Sequence, residues 1–436
     1  MSSEWQSTTI GDICSKVFSG GTPTSTNSTY YDGGTIPWLR TKEVNYGKIY
    51  ETEEHITELG FESSSAKLVP VNSVIVAMYG NGDTAGRVAV NKVPVTTNQA
   101  CCNLVVDTSK ADYRFVYYYL MGQYKALVDL KNGGAQQNLN GQLIKAFPIA
   151  LPTIAEQVEI STILESLDDR ITLLRETNTT LEAIAQALFK SWFVDFDPVH
   201  AKMQGRNSEG MDEETLALFP DSLQLSELGD VPTGWQFKTM TDISIVSIGK
   251  TPPRKEPEWF SEDPSDIRWV SIRDMGMQGV YMSQTSEFLT KEAIQKFNVR
   301  VVPDNTVLMS FKMTIGRVAL TDGEITTNEA IAHFNLNEHS VVTSEFIYLH
   351  LKQFDFSSLS STSSIADAVN SKAVREIPIL VPPAEVMVAF QARIVSIFNK
   401  LKLSENQAQN LTVLRNALLP RLIRGDYHQV EEAIAP

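Results

Sequence analysis

The chain contains an internal duplication, which constrains its fold more than any other feature of the sequence. Short segments occur twice, in the same order, at an offset of 230 or 231 residues. They are IPWL and IRWV (36–39 and 267–270), GRVAV and GRVAL (86–90 and 316–320), TTNQA and TTNEA (96–100 and 326–330), FVYYYL and FIYLHL (115–120 and 346–351), and FPIALP and IPILVP (147–152 and 377–382). The duplication predicts two copies of one globular domain.

A long segment with a heptad pattern follows each copy. The spacing of four and three residues predicts an amphipathic helix, and its length favours pairing of the two helices over packing of each on its own core. Because the chain passes through a whole domain between them, we expect antiparallel pairing. The apolar positions are Ile160, Leu164, Leu167, Ile171, Leu174, Leu181, Ala185, Leu188 and Trp192, then Phe390, Ile394, Ile397, Leu401, Ala408, Leu411, Leu418 and Leu422, with polar breaks at Asn178, Ser404 and Arg415. Pro420 is expected to interrupt the second helix.

Each copy mixes strand and helix patterns. Apolar β-branched runs at 71–80 and 305–313 predict strands, and the periodicity of 113–127 and 344–354 predicts helices. The predicted fold class is α+β (mixed α/β), with two duplicated domains built on twisted β-sheets. The predicted boundaries are 1–151 and 231–381 for the domains, 152–196 and 382–425 for the helices, 197–230 for a linker with one short helix around 212–218, and 426–436 for a tail.

The net charge of −15 is concentrated in one place. Residues 151–230 carry 16 acidic and 5 basic residues, so either domain can still present a local basic face. No apolar run is long enough to span a membrane, and the amino terminus lacks a secretory signal pattern. The cysteines, Cys14, Cys101 and Cys102, do not form a disulfide framework. These features predict a cytoplasmic location.

Motifs that carry chemistry are missing from the sequence. It contains no phosphate-binding loop, no nucleophile elbow and no spacing of histidine and cysteine typical of a metal site. The glycine-rich stretch at 80–86 leads into a predicted strand, which argues against a dinucleotide site. Asp195 and Asp197 have no counterpart in the second copy and are interpreted as a polar helix end. We therefore expect no catalytic residues and no metal, which favours a reader or a scaffold.

Three segments carry a family resemblance. LEAIAQALFKSWFVDFDPV (181–199), LRNALLPRLIRGDY (414–427) and FPIALPTIAEQVEI (147–160) resemble regions of the specificity subunit of type I restriction-modification systems. The resemblance covers nearly the whole chain, although Val386 and Met387 depart from the pattern at the start of the second helix. It implies that the copies are target recognition domains, each reading half of a split DNA sequence, and that the paired helices hold them apart as an antiparallel coiled coil.

The resemblance also implies partners. Two methyltransferase subunits that bring S-adenosylmethionine would dock on the helices, and motor-nuclease subunits that use ATP and Mg²⁺ would join them. Double-stranded DNA is the expected ligand, with no membrane partner, no cofactor bound by this chain and no catalysis of its own. Two alternatives remain. A stand-alone DNA-binding scaffold would not co-purify with a methyltransferase, and a two-domain enzyme would show turnover by the isolated chain.

DNA reading requires polar or basic side chains on exposed loops. The candidates follow the predicted strands or lie in loops that differ between the copies: Arg40, Thr41, Lys42, Tyr79, Asn81, Gln136, Gln137 and Asn138 in the first, and Lys250, Arg254, Lys255, Ser271, Arg273, Lys312, Thr314, Ser363 and Ser364 in the second. Lys250, Arg254 and Lys255 suit phosphate. Residues that both copies share are better suited to the fold or to phosphate than to discrimination; they are Arg87, Arg317, Asn98 and Asn328.

Partner docking is predicted on aromatic residues near the end of the first helix. Phe189, Phe193 and Phe196 lie off the heptad seam, so they are the candidate interface. The alternative is that they are buried under a recognition domain. Trp38 and Trp269 are expected in the cores.

Overall fold

The chain divides into two compact units. The computed structural model describes residues 5–80, 82–130, 139–337, 340–359 and 369–426. The first unit comprises Met1–Thr172 and Gln409–Pro436, and the second comprises Leu173–Ala408. Each unit therefore contains one copy of the repeat together with part of each long helix.

The first unit combines short strands and helices around the first copy of the repeat. Its strands in the described part of the chain are β1 (Gln6–Thr9), β2 (Cys14–Ser19), β3 (Ile36–Leu39), β4 (Lys48–Ile49), β5 (Glu54–Ile56), β6 (Val74–Ala77), β7 (Val88–Asn91), β8 (Thr96–Thr97), β9 (Cys101–Val106) and β10 (Pro148–Leu151). Its helices are α1 (Glu58–Glu62), α2 (Tyr113–Gly122), α3 (Tyr124–Asp129) and α4 (Gly141–Lys145), followed by the long helix α5 (Ile154–Phe193), which ends in the second unit.

The second unit repeats part of this order of elements. Its strands are β11 (Leu223–Ser226), β12 (Gly229–Pro232), β13 (Gln236–Thr239), β14 (Ser244–Ile248), β15 (Phe260–Ser261), β16 (Ile267–Val270), β17 (Tyr281–Met282), β18 (Glu287–Leu289), β19 (Val307–Ser310), β20 (Val318–Thr321), β21 (Thr326–Thr327), β22 (Ile331–Leu336) and β23 (Pro378–Val381). Its helices are α6 (Asp197–Met203), α7 (Glu213–Ala217), α8 (Met240–Ile243), α9 (Ile272–Met275), α10 (Lys291–Phe297), α11 (Ser344–Gln353), α12 (Ser371–Arg375) and α13 (Ala384–Leu422). The order repeats from β13 onward, with additional elements that include α6, α7, β11, β12 and β15.

The five-stranded sheets of the two units have the same topology, and the smaller sheet of the second unit has one additional strand, β15. One five-stranded sheet has the order β2-β9-β6-β7-β4, and its counterpart has the order β14-β22-β19-β20-β17. A smaller sheet joins the tryptophan strand to the TTN segment by a parallel pair, with Trp38 opposite Thr96 and Trp269 opposite Thr326. The predicted α+β class and the duplication are confirmed.

A glycine near the start of each copy, in GGTP (20–23) and GKTP (249–252), packs against the TTN segment, and both recur for a steric reason. A Cβ on Gly20 would lie 2.0 Å from the Thr97 carbonyl oxygen, and one on Gly249 would lie 2.0 Å from Thr327 Oγ1. The first threonine of each segment donates to a main-chain carbonyl, Thr96 to Pro37 at 2.9 Å and Thr326 to Arg268 at 3.0 Å. Both copies therefore need glycine and threonine at these positions to close the sheet.

The long helices run antiparallel inside each unit. In the first, the guanidinium of Arg415 donates to Asp168 at 2.6 Å, and Ile160 packs in one cluster with Leu422. In the second, Trp192 near the end of α5 packs on Phe390 near the start of α13, with ring centroids 5.5 Å apart. The ion pair to Asp168 also explains the polar break that Arg415 makes in the heptad pattern.

The bounds of the long helices follow local capping. Thr153 accepts from the Glu156 amide at 3.3 Å, and its own amide donates to the Glu156 carboxylate at 2.9 Å, which is a capping box at the start of α5. The expectation that Pro420 interrupts the second helix is wrong, because α13 continues through Pro420 to Leu422.

The seam residue Ser404 is fully buried, and within the described residues its hydroxyl has no hydrogen-bond partner.

The acidic segment after α5 is more ordered than the sequence indicates. The expected short helix is present as α7, but α6 precedes it and the hairpin of β11 and β12 follows it. Val199 and Phe219 are buried in the core of the second unit. The segment thus packs as part of that unit.

Candidate nucleic-acid interface

A carboxylate fixes the turn that follows the tryptophan strand in both copies. Glu43 accepts from the amides of Arg40 and Glu53, both at 2.9 Å. Asp274 occupies the same position in the second copy and accepts from the amides of Ser271 at 2.8 Å and Ser286 at 3.2 Å. These bonds hold the backbone of each turn from two sides, so the side chains on the turn project from a fixed base.

Burial destabilises the charged form of Asp274, but the hydrogen bonds that its carboxylate accepts stabilise that form more. Desolvation raises the pKa of this carboxyl, whereas the bonds from Ser271 and Ser286 lower it, and the net shift is downward. Asp274 is therefore an anion that the amides and hydroxyls of Ser271 and Ser286 stabilise by hydrogen bonds. The hydroxyl of Ser271 donates to the Asp274 carboxylate at 2.6 Å.

A basic residue precedes the acid that fixes the turn in each copy. Lys42 is exposed and pairs with Glu53 across the turn. Arg273 is exposed and, among the described residues, has no ion-pair partner. The two predicted residues thus occupy equivalent places, and Arg273 has the more available charge.

The shared arginines attach a second loop to each turn. Arg87 donates to the Asn45 side chain at 2.6 Å and pairs with Asp83 at 2.6 Å. Arg317 donates to the carbonyl of Ile272 at 2.5 Å. The loop between β6 and β7, and its counterpart between β19 and β20, therefore lie beside the turns that carry Lys42 and Arg273.

The other shared residue also serves the fold. Asn98 accepts from the amide of Ala100 at 3.2 Å, and Asn328 accepts from the amide of Ala330 at 3.0 Å. The main-chain N–H groups of the two asparagines donate to the carbonyls of Leu39 and Val270, the last residues of the strands that contain Trp38 and Trp269. The asparagines therefore close equivalent turns.

The remaining candidates of the first copy are partly engaged. Arg40 pairs with Glu54 at 2.5 Å, and its guanidinium lies 5.5 Å from the centre of the Trp38 ring. Thr41 starts a single helical turn that ends at Glu43. Tyr79 is half-buried, and burial raises the pKa of its hydroxyl.

In the second copy the candidates differ in availability. The Lys312 ammonium lies 5.3 Å from the centre of the Phe311 ring, and Thr314 is exposed. Lys250 donates to the carbonyl of Phe297 at 2.6 Å. Lys255 is exposed and has no ion pair within the part of the chain that the structure describes.

The side chain of Arg254 is engaged in contacts within its own domain. Both terminal nitrogens of its guanidinium donate to Glu287, at 2.7 and 2.9 Å. The same group stacks between Phe260 and Trp269, 4.1 and 4.3 Å from the ring centres. A bidentate partner and two ring faces satisfy the guanidinium, which leaves Lys255 as the freer cation of this loop.

Several predicted residues cannot be placed. Asn81, Gln136, Gln137, Asn138, Ser363 and Ser364 lie outside the described residues.

The prediction that Phe189 and Phe193 face a partner is wrong. Both are buried, 2% and 5% exposed, in the core of the second unit. Phe193 packs on Phe346 and Phe390, with ring centroids 4.9 and 4.7 Å apart. Phe196 is half-buried against Trp235. The heptad pattern separates the seam from the other faces, but it does not show that α11 covers one of those faces.

Sequence reasoning missed the two clamping acids and two exposed methionines. Glu43 and Asp274 stand at an offset of 231 residues, as do the tryptophans before them, so extending the repeat would have found them. Met277 and Met313 are 72% and 80% exposed on the turn and loop of the second copy. No sequence pattern signals exposure of a methionine.

His333 and the cysteines Cys14 and Cys102 serve packing. Burial lowers the pKa of His333 to about 3, and its ring bonds to Thr327 at 2.6 Å and Ser247 at 3.1 Å. Burial raises the pKa of Cys14 and Cys102 to about 12, which suppresses thiolate formation. Among the described residues no group of three or more histidine, cysteine or carboxylate side chains is placed to hold a metal ion.

None of the described helices is both long and apolar enough to cross a membrane.

Comparison with known proteins identifies the family. The model of the type I restriction modification DNA specificity domain matches residues 2–183 and 232–414, once for each copy. These matches cover most of the chain, so it belongs to the type I restriction-modification specificity family, the class that recognises DNA sequence for such systems.

Individual relatives agree with this assignment. The specificity subunit of the type I restriction enzyme MjaIX from Methanocaldococcus jannaschii is 27% identical over 98% of this chain and 94% of its own length. The specificity subunit of HindI from Haemophilus influenzae is 29% identical over 70% of this chain and 74% of its own. The crystal structure of a type I S subunit from M. genitalium shares the fold, with a TM-score of 0.55 at 15% identity and 96% coverage of both chains.

Proposed function

We propose that each globular domain reads one half of a split DNA target. The observation that carries this proposal is that one platform, a turn held by an acid and joined to a loop by an arginine, is built twice and presents different side chains. Lys42 and Asp83 stand on the first platform, and Arg273 and Met313 stand at the equivalent places on the second. Identical scaffolds with different exposed groups suit two readers of unlike sequences.

The helices would dock two methyltransferase subunits. Since Phe189 and Phe193 are buried, the docking surface has to come from other residues of the helices. The large apolar side chains that remain exposed on them are Ile154, Val158, Leu173 and Ile184 on α5, and Val388, Val395, Leu403, Val413 and Leu414 on α13. Exposed apolar side chains on long helices favour contact with another protein.

In this proposal the chain itself performs no catalysis. S-adenosylmethionine binds to the methyltransferase subunits, and ATP and Mg²⁺ bind to the motor-nuclease subunits. The chain itself recognises the target sequence on double-stranded DNA. Helix α5 is acidic and need not touch phosphate, so much of the electrostatic attraction to DNA would come from the partners.

The test is selection of duplexes from a random library by the chain in complex with a cognate methyltransferase subunit. The wild-type complex is expected to enrich a split sequence. Arg273→Ala should relax one base-pair position of one half-site by about 5- to 150-fold, the value of a bidentate base contact of about 1–3 kcal/mol, and leave the other positions unchanged.

Arg300→Ala is the matched control, because Arg300 is also exposed in the second unit but lies outside the turn and the loop. It should leave the selected sequence unchanged. Equal weakening on all sequences by Arg273→Ala would reassign that residue to phosphate, and a wild-type complex that enriches no sequence would overturn the proposed function.

A further inference from the structure

Met313 is held in an unusual position for an apolar side chain. Its backbone has φ of 62°, in the left-handed region that residues with a Cβ rarely adopt, and its side chain is 80% exposed. The loop around it is closed by Ser310, whose carbonyl accepts from the Gly316 amide at 2.9 Å and whose hydroxyl accepts from the Arg317 amide at 3.0 Å. The fold therefore presents this side chain to solvent from a fixed base.

Met277 lies on the neighbouring turn. It follows Gly276, and a Cβ at Gly276 would lie 2.4 Å from the Arg317 guanidinium that ties the turn to the Met313 loop. Met277 is 72% exposed. Two long apolar side chains are thus exposed to solvent, on two loops that Arg317 joins. Burial of this apolar surface in a complex would lower the free energy.

The charges around these methionines indicate the ligand. Arg273 is on the same turn as Met277, and Lys312 directly precedes Met313. Within the described residues neither cation has a carboxylate partner. An apolar surface flanked by unneutralised cations fits an anionic polymer that displays apolar groups. In the DNA major groove the apolar group is the 5-methyl of thymine.

The first copy has different chemistry at this place. Asp83 stands at an offset of 230 residues from Met313 and pairs with Arg87. An acid neutralised by the shared arginine does not attract a methyl group. The difference is therefore specific to the second domain.

We propose that Met313, supported by Met277, recognises a thymine methyl group in the half-site that the second domain reads. This inference rests on the proposed function, because it assigns one base of the target to one side chain. Methionine suits this contact, since its unbranched and polarisable side chain adapts to the shape of the methyl group.

The test compares thymine with deoxyuridine, which differs only by that methyl group. Duplexes carrying the selected target are made with deoxyuridine at one thymine position at a time, and their Kd is measured for the wild-type complex. One position in one half-site should bind about four-fold more weakly, the value of one buried methyl group. Met313→Ala and Met313→Gln should bind thymine and deoxyuridine equally at that position.

Met203→Ala is the matched control, because Met203 is an exposed methionine on α6, away from both loops. It should retain the four-fold preference. A wild-type complex that selects a split sequence but is indifferent to every thymine methyl, or that selects half-sites without thymine, overturns the inference alone. Retention of the preference by both Met313 variants does the same. Failure to select any sequence overturns the proposed function as well.

Discussion

Buried or half-buried carboxylates hold the backbone where it has no regular pairing partner. Glu43 and Asp274 do this on the turns, and Glu405 of α13 does it at the start of β17. Its two carboxylate oxygens accept from the amides of Val280 at 2.7 Å and Tyr281 at 2.9 Å. Gly279 permits the approach, because a Cβ there would lie 2.2 Å from Glu405 Oε1. A single acid thus attaches the long helix to the sheet of the second unit.

Burial raises the pKa of Glu405 to about 7, with Glu182 and Asp322 adding to the effect and the two amide bonds opposing it. In the unfolded chain this carboxyl has a pKa near 4.5. Between these values the folded state keeps a proton that the unfolded state has lost. The contribution of Glu405 to stability is therefore full below about pH 4.5 and declines until about pH 7.

Glu405→Gln should remove this part of the pH dependence. The measurement is Tm between pH 4.5 and 8, taken as the difference between wild type and variant at each pH. That difference is expected to shift in favour of the variant as the pH rises to about 7 and then to level off. Glu385→Gln, at an exposed position of α13, should give a curve parallel to wild type. A parallel curve for Glu405→Gln would show that this carboxyl does not titrate as described.

The sequence revealed little about which residues are available to a ligand. Arg254 and Arg273 look alike in the sequence, but the first is paired with Glu287 and stacked on two rings, whereas the second is free of ion pairs among the described residues. This difference depends on pairing of β16 with β18, which brings Glu287 opposite Trp269. Long-range pairing of this kind leaves no local signal.

At the scale of elements, the heptad pattern predicted both long helices, because an apolar seam sustained over several heptads is typical of long paired helices. It did not predict the hairpin of β11 and β12, where Leu225 is 86% exposed and the apolar alternation of a half-buried strand is missing. The sequence left open whether the end of α5 is buried under a recognition domain, and the structure places it in the core of the second unit. That core is aromatic, with Phe189, Trp192 and Phe193 packed on Phe390.

Phe193→Ala should detach the end of α5 from this core. Phe193 is 5% exposed, so its truncation leaves a cavity among rings, and we expect the free energy of unfolding to fall by about 3–5 kcal/mol. Chemical denaturation followed by tryptophan fluorescence measures the change, since Trp192 and Trp235 adjoin the site. Leu173→Ala, on a 52% exposed residue of the same helix, should change stability by about 0.5 kcal/mol or less. Equal effects of the two substitutions would contradict this packing.

For the whole molecule, the duplication was the most informative feature of the sequence. It predicted two domains of one topology, and the matching sheet orders follow from it. Equal scaffolds do not imply equal ligands, because the exposed side chains at equivalent places differ in charge and polarity. Under the proposed function, the target depends on those side chains and not on the shared scaffold.

The central claim is that two domains read two half-sites whose gap the helices set. It is tested most directly by mapping methylated adenines in DNA from cells that express the chain with a cognate methyltransferase. The comparison is wild type against a chain with matched seven-residue insertions after Arg175 in α5 and after Gln407 in α13. The insertions are matched because Asp168 pairs with Arg415 and Trp192 packs on Phe390, a register that puts Arg175 opposite Gln407.

Wild type should methylate a split motif on both strands. Seven helical residues add about 10 Å, so the extended chain should keep both half-sites and widen the gap by about three base pairs. A continuous motif, or half-sites that change while the gap stays fixed, would contradict the account.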